Sequence, residues 1–197
     1  MSGIVNQAGS RSGVVGQMAD VVLLKRDKMG VSAASAWTCT NVFRREFRTI
    51  EVKIPALKFA NDNVSLRMVI SSDNCANFHS GNHYDSQIWS GANGSWGCHI
   101  NADNAAYAVV MAAGNQGATG NEGGAGSIFF CDPMNPTARK NGYGQFMEHM
   151  HNTEMNVSVC SWSYETSDAI NSFKLYPSSG NFDTGANYNQ VSVYGYR

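Results

Sequence analysis

The sequence predicts an all-β protein, an antiparallel β-sandwich of jelly-roll type preceded by an extended N-terminal arm. Three observations predict it. The 197 residues suffice for one domain of sandwich size. Gly, Asn and Ser together fill 61 positions against only 4 Pro, a balance that suits many short strands joined by generous loops. Apolar runs alternating with period two recur along the chain, and nothing between them reads as a crossover helix, which disfavours a parallel α/β sheet.

Residues 1–17 are read as an anchoring arm and residues 18–197 as the sandwich. The arm has four Gly, three Ser and no carboxylate. Its apolar pairs, Ile4-Val5 and Val14-Val15, bury too little to fold alone. With Arg11 they are the candidate assembly contacts, on the domain itself or on a neighbouring subunit. Gln17 to Arg26 fits a short helix or a buried strand equally. From Phe43 the pattern sharpens: Phe47, Ile50, Val52 and Ile54 interleave with Arg48, Glu51 and Lys53, with a break near Thr49, and Pro55 is expected to end the strand.

Val64 to Ser71 repeats the pattern, with Val64, Leu66, Met68 and Ile70 on one face. Further strands are expected at Tyr84 to Ser90, Tyr107 to Ala112, Gly126 to Cys131, Gly144 to Met150, Met155 to Tyr164, Ile170 to Tyr176 and Gln190 to Tyr196. The loops Asp73 to Tyr84 and Ala112 to Gly126 are long and rich in Gly and Asn, and a sandwich gathers such loops at its ends.

The formal charge of -1, from 14 Lys plus Arg against 15 Asp plus Glu, offers no field to recruit nucleic acid or anionic membranes. No apolar run approaches the length of a membrane span, and no signal-peptide pattern opens the sequence, so a soluble protein without a secretory leader is expected. Cys39, Cys75, Cys98, Cys131 and Cys160 are odd in number, widely spaced and free of any C-x-x-C pair. They read as thiols of a chain folded in a reducing cytoplasm.

Motifs for chemistry are sparse. His79 and His83 are four apart but span Ser80-Gly81-Asn82, which opposes a helix, and His149 and His151 read as a polar strand pair rather than a chelate. Asn61-Asp62-Asn63 and Asp73-Asn74 lack the Gly and closing Glu of a calcium loop and read as Asx turns. Sequence cannot pair Glu122, Asp132, Glu148, Glu154 or Glu165 into a glycosidase dyad. Gly120 to Gly126 lacks the flanking strand, helix and Lys of a phosphate cradle and reads as a flexible loop. No catalytic residue, cofactor or metal site is assigned. Tyr84, Trp89, Asn93 and Trp96 form a candidate sugar-binding platform of flat rings and an amide, and burial of one or both indoles at a sandwich end is the other reading.

Several segments carry a resemblance. They are the opening Ser2-Gly3-Ile4-Val5-Asn6-Gln7-Ala8-Gly9-Ser10-Arg11-Ser12-Gly13; Ala60 to Met68 running on to Ser71-Ser72-Asp73 and Phe78 to Asp85; the glycine loop into Ser127-Ile128-Phe129-Phe130-Cys131-Asp132-Pro133; and Ala169 to Tyr176 with Ser178-Ser179-Gly180-Asn181 and Val191 to Gly195. Through them the chain resembles virion-surface proteins of tailed bacteriophages, tail-fibre-like and head-decoration modules. The resemblance implies a non-enzymatic β-sandwich of the virion, made in the host bacterial cytoplasm. It implies oligomeric contacts with other virion proteins and no cofactor. A receptor-recognition module binding a host surface glycan is the alternative.

Overall fold

The computed structural model describes residues 20–32, 34–92, 95–112, 123–149, 155–165, 167–185 and 187–197. The arm residues Ile4, Val5, Arg11, Val14 and Val15 lie outside these, as do Asn93, Glu122, His151 and Glu154. All regular structure among the described residues is strand: β1 Val21–Lys28, β2 Trp37–Cys39, β3 Thr49–Leu57, β4 Leu66–Ser71, β5 Tyr84–Ala92, β6 Ser95–Ala105, β7 Ala108–Met111, β8 Gly123–Cys131, β9 Lys140–His149, β10 Met155–Tyr164, β11 Ser172–Pro177 and β12 Gln190–Tyr196.

Every pairing is antiparallel. Eight strands form one sheet in the order β1-β12-β3-β8-β9-β10-β5-β6, and four form a second in the order β2-β11-β4-β7. From β2 to β5 the chain changes sheet at each step, and it does so again at β6, β7 and β8 and at β10, β11 and β12. Only β5-β6 and the meander β8-β9-β10 stay within a sheet. The molecule is therefore an antiparallel β-sandwich.

The core between the sheets is aromatic at its centre. Phe130 of the large sheet contacts Phe173 of the small one at a ring distance of 5.0 Å, with Phe43 at 4.8 Å and Trp162 at 5.1 Å from the same ring. Each such ring contributes about 1.5–3 kcal/mol by leaving water. Room for them comes from β9, where Gly142 and Gly144 face the core. A Cβ on Gly142 would collide with the Phe129 carbonyl and come within 2.5 Å of the Trp162 ring, and one on Gly144 would lie 2.9 Å from Cys160 Sγ. The alternation Gly-Tyr-Gly-Gln-Phe thus hollows the inner face where the partner strand is bulkiest.

Two expectations are corrected and one open reading is resolved. Pro55 does not end its strand, because β3 continues to Leu57 and the pairing with β8 shifts register between Ile54 and Leu57, the kind of bulge that accommodates a residue without an N–H. Gly123 to Gly126 is the start of β8 rather than a flexible loop, with the ladder to β9 beginning at Gly123. The undecided segment around Val21 is an edge strand, β1, paired to β12. None of the five cysteines forms a disulfide; Cys39 and Cys160 are buried and Cys98 is exposed. No helix among the described residues is long and apolar enough to cross a membrane.

Candidate functional site

Strand alternation gives the large sheet an outer face that the small sheet does not cover, and the cross-strand registers set its rows. One row runs Lys53, Ser127, Gln145, Val159, Trp89, Cys98 across β3, β8, β9, β10, β5 and β6. The next runs Ala125, Met147, Val157, Gly91, Trp96. A third carries Glu51, Phe129, Tyr143, Ser161 and Gln87.

Of nine large hydrophobic side chains exposed among the described residues, eight belong to this outer face: Val21, Leu23, Trp89, Trp96, Tyr143, Met147, Met155 and Val159. The ninth, Val31, sits in the turn after β1. Six of the eight are contiguous on β9, β10, β5 and β6. Val21 and Leu23 stand apart at the β1 edge, separated by a polar knot in which Ser127 Oγ donates to Glu51 Oε1 at 2.8 Å and the Tyr196 hydroxyl donates to Glu51 Oε2. That bond, with burial behind it, pushes the Tyr196 phenol up to about 12.

Trp89 and Trp96 are 49% and 60% exposed. Trp96 pairs across to Gly91, which offers no side chain, so Trp89 and Trp96 are diagonal neighbours on one face, at backbone positions roughly 7–8 Å apart. On the far side of β10 from this aromatic pair, a shallow trough of about 350 Å³ runs along β8, floored by Ala125 and Ser127 and walled by Lys53 and Pro55 on one side and Gln145 and Met147 on the other. The floor is low because β8 opens with Gly123-Gly124-Ala125 between two strands with long side chains.

The sequence-predicted platform divides. Trp89 and Trp96 come together on the surface, but Tyr84 does not join them. It is fully buried, its hydroxyl donating to the His79 carbonyl at 2.8 Å and accepting from the Ile70 N–H at 2.9 Å, with its ring 4.8 Å from Tyr164. Burial pushes its phenol well above the ordinary range. The cause is parity: Tyr84 and Trp89 are five apart on one strand and so point to opposite faces.

The other polar candidates serve local structure. His79 and His83 flank the Tyr164 ring at 5.1 and 6.1 Å, His79 Nε2 lying 3.2 Å from Ser72 Oγ and His83 Nδ1 3.4 Å from Glu165 Oε2. Asp73 caps its loop, accepting from the Asn77 N–H at 2.8 Å and from Ser71 Oγ at 2.8 Å, and the Asn77 bonds above all hold its carboxyl down at about 2. Asp132 pairs with Arg48 at 3.2 Å. Glu148 is buried on the inner face, accepting from Asn156 Nδ2 at 3.2 Å and Ser158 Oγ at 3.3 Å. No three described His, Cys, Asp or Glu side chains are grouped to hold a metal ion.

One carboxylate pair escaped the sequence. Asp85 and Asp103 meet where β6 bulges opposite β5, and their shared hydrogen bond raises Asp103. The Asn104 N–H, donating to Asp85 Oδ1 at 3.1 Å, holds Asp85 low. Only the register shift between Tyr84 and Ser86 brings them together, and sequence carries no signal for it.

No family model matches the chain, and no curated protein matches it. Among solved structures, a chain from work on endo-acting O-glycanases that members of the human gut microbiota express to initiate mucin breakdown aligns over 91% of this chain and 92% of its own, at 8% identity and a TM-score of 0.19. A likeness that slight says nothing about activity.

Proposed function

We propose that the chain is a non-enzymatic structural protein of a tailed-phage virion, displayed as a head decoration or cement protein or as a tail or fibre component, and held by oligomeric contacts. The observation that carries the reading is the one-sided outer face, where eight large apolar side chains stay in water on a rigid sheet. Exposed apolar patches of that kind mark interaction surfaces. The virion placement rests on the sequence resemblance. The alternation of the chain between sheets supports a jelly roll in which the meander β8-β9-β10 stands where a simpler jelly roll has one strand.

The test is mass spectrometry of phage particles banded from a lysate of the host in which this chain is encoded. Recovery of the chain with the particles, surviving a wash that removes soluble protein, is expected. Recovery only from the unbanded fraction would overturn the reading.

A second reading is favoured by one observation, the adjacency of the exposed Trp89 and Trp96. Flat neighbouring indoles suit the apolar face of sugar rings, and the receptor-recognition alternative would use them without Tyr84. A glycan array separates the two: a hit lost in Trp96→Ala at unchanged melting temperature favours glycan recognition, and no hit leaves the face to protein contacts.

A further inference from the structure

We infer that the outer face of the eight-stranded sheet is where two copies of this chain pack against each other, about a two-fold axis that lies in the interface and runs along the strands between β9 and β10. This deepens the oligomeric contact of the proposed function by naming its surface and its geometry.

The area is of the right size. Trp89, Trp96, Tyr143, Met147, Met155 and Val159 are each about half exposed and contiguous, and together leave on the order of 600 Å² of apolar-residue surface in water. That is at the upper limit of patches on ordinary monomers. With the bordering Gln87, Gln145, Val157 and Ser161 it approaches the roughly 800 Å² per partner of a stable interface. No Asp, Glu, Lys or Arg occupies the rows between Gln145 and Cys98 or between Met147 and Trp96, so two identical faces meet there without like charges opposed.

The face is also complementary to itself. A two-fold along the β9-β10 line places β5 over β8 of the other copy and β6 over β3, because these strands lie equally far from it. Rows are kept by that rotation. Trp89 then falls over Ser127 of the second copy and Trp96 over its Pro55, which puts both indoles in the trough floored by Ala125 and Ser127. Met147 meets Val157, and Gln145 meets Val159, at the axis itself. Knobs and trough stand on opposite sides of one line at matched distances, as a self-complementary surface requires. Lys53 on the trough wall comes within reach of the indole faces, where a cation is favoured. Two twisted sheets stack in this aligned way at about 10 Å with interdigitated side chains.

The experiment is analytical ultracentrifugation of the full chain, of Met147→Arg and of Ala125→Arg, each variant checked by circular dichroism for an unchanged fold. The first variant sets a guanidinium against Val157 of the other copy near the axis, and the second fills the trough that receives the indoles. We expect a dimer for the full chain and at least a 100-fold weaker association for each variant. A full chain that is monomeric at about 100 µM, where an interface of standard size is occupied, would overturn the inference. So would a dimer that both folded variants leave intact. A monomer that still bands with phage particles would overturn the dimer and leave the virion reading standing.

Discussion

The two faces of the eight-stranded sheet are built by the same strands, residue by alternate residue, yet they obey different rules. The inner face is filled by Ile50, Val52, Ile54, Phe130, Phe146 and Trp162, with Gly142 and Gly144 opposite the bulkiest rings, and each position is set by its neighbour's volume. On the outer face large residues stand beside small ones, Trp96 beside Gly91 and Met147 beside Ala125, with nothing among the described residues to fill the gaps. An inner face packed to close density and an outer face left as knobs and a trough teach that only the first is specified for folding. On the proposed reading, the second is specified for a partner outside the fold.

Substitutions that cross this division should separate cleanly. The largest effect is expected at Gly142→Ala: the added methyl collides with the Phe129 carbonyl and Trp162, so about 1–3 kcal/mol of stability should be lost, read from urea unfolding. Lys140→Met comes next. Its ammonium is buried and donates to the carbonyls of Asn135, Ala138 and Ser167, and removing it strands those acceptors at a cost of about 1–3 kcal/mol. By contrast, Trp96→Ser should change the stability of the isolated chain by no more than about 0.5 kcal/mol while abolishing whatever the outer face binds.

The thiols report the same division in rate. Burial pushes Cys39 and Cys160 up to about 12, so at pH 8 a disulfide reagent should find them silent until the chain unfolds, while exposed Cys98 on the outer face reacts at once. Cys98 should also become protected as the protein is concentrated. The smallest effect belongs to neither face. Asp73 titrates near 2 in the folded chain against an ordinary 3.8, so its contribution is present above about pH 4 and is lost as the pH falls toward 2. Asp73→Asn should flatten that part of the acid limb by lowering the melting temperature slightly at neutral pH and leaving it unchanged near pH 2.

Much of this was legible in the residues. Met155 to Tyr164 and Gln190 to Tyr196 alternate with a single change of phase each, at Val159-Cys160 and at Val193-Tyr194, and both are strands over those bounds. The alternation also held what the platform reading missed, since the odd spacing of Tyr84 and Trp89 already put one of them inside. Other elements had no local signature. β2 is three residues long, fixed by pairing to β11. β6 reads as a loop because Ser95, Gly97, Asn101 and Asn104 carry no strand preference. It is extended because β5 pairs with it through two register shifts. The trough was illegible for the same reason: it is made by which strands β8 lies between, a property of topology rather than of the run Gly123-Gly124-Ala125.

The most direct test of the outer face as an assembly surface is hydroxyl-radical footprinting of the full chain across a range of concentrations, read at single residues. Oxidation of Met147, Met155, Trp89 and Trp96 should fall together as concentration rises, while Val31 in its turn stays equally reactive and buried Tyr84 stays unreactive throughout. Oxidation of the four that is unchanged by concentration, or that falls no more than at Val31, would contradict the account.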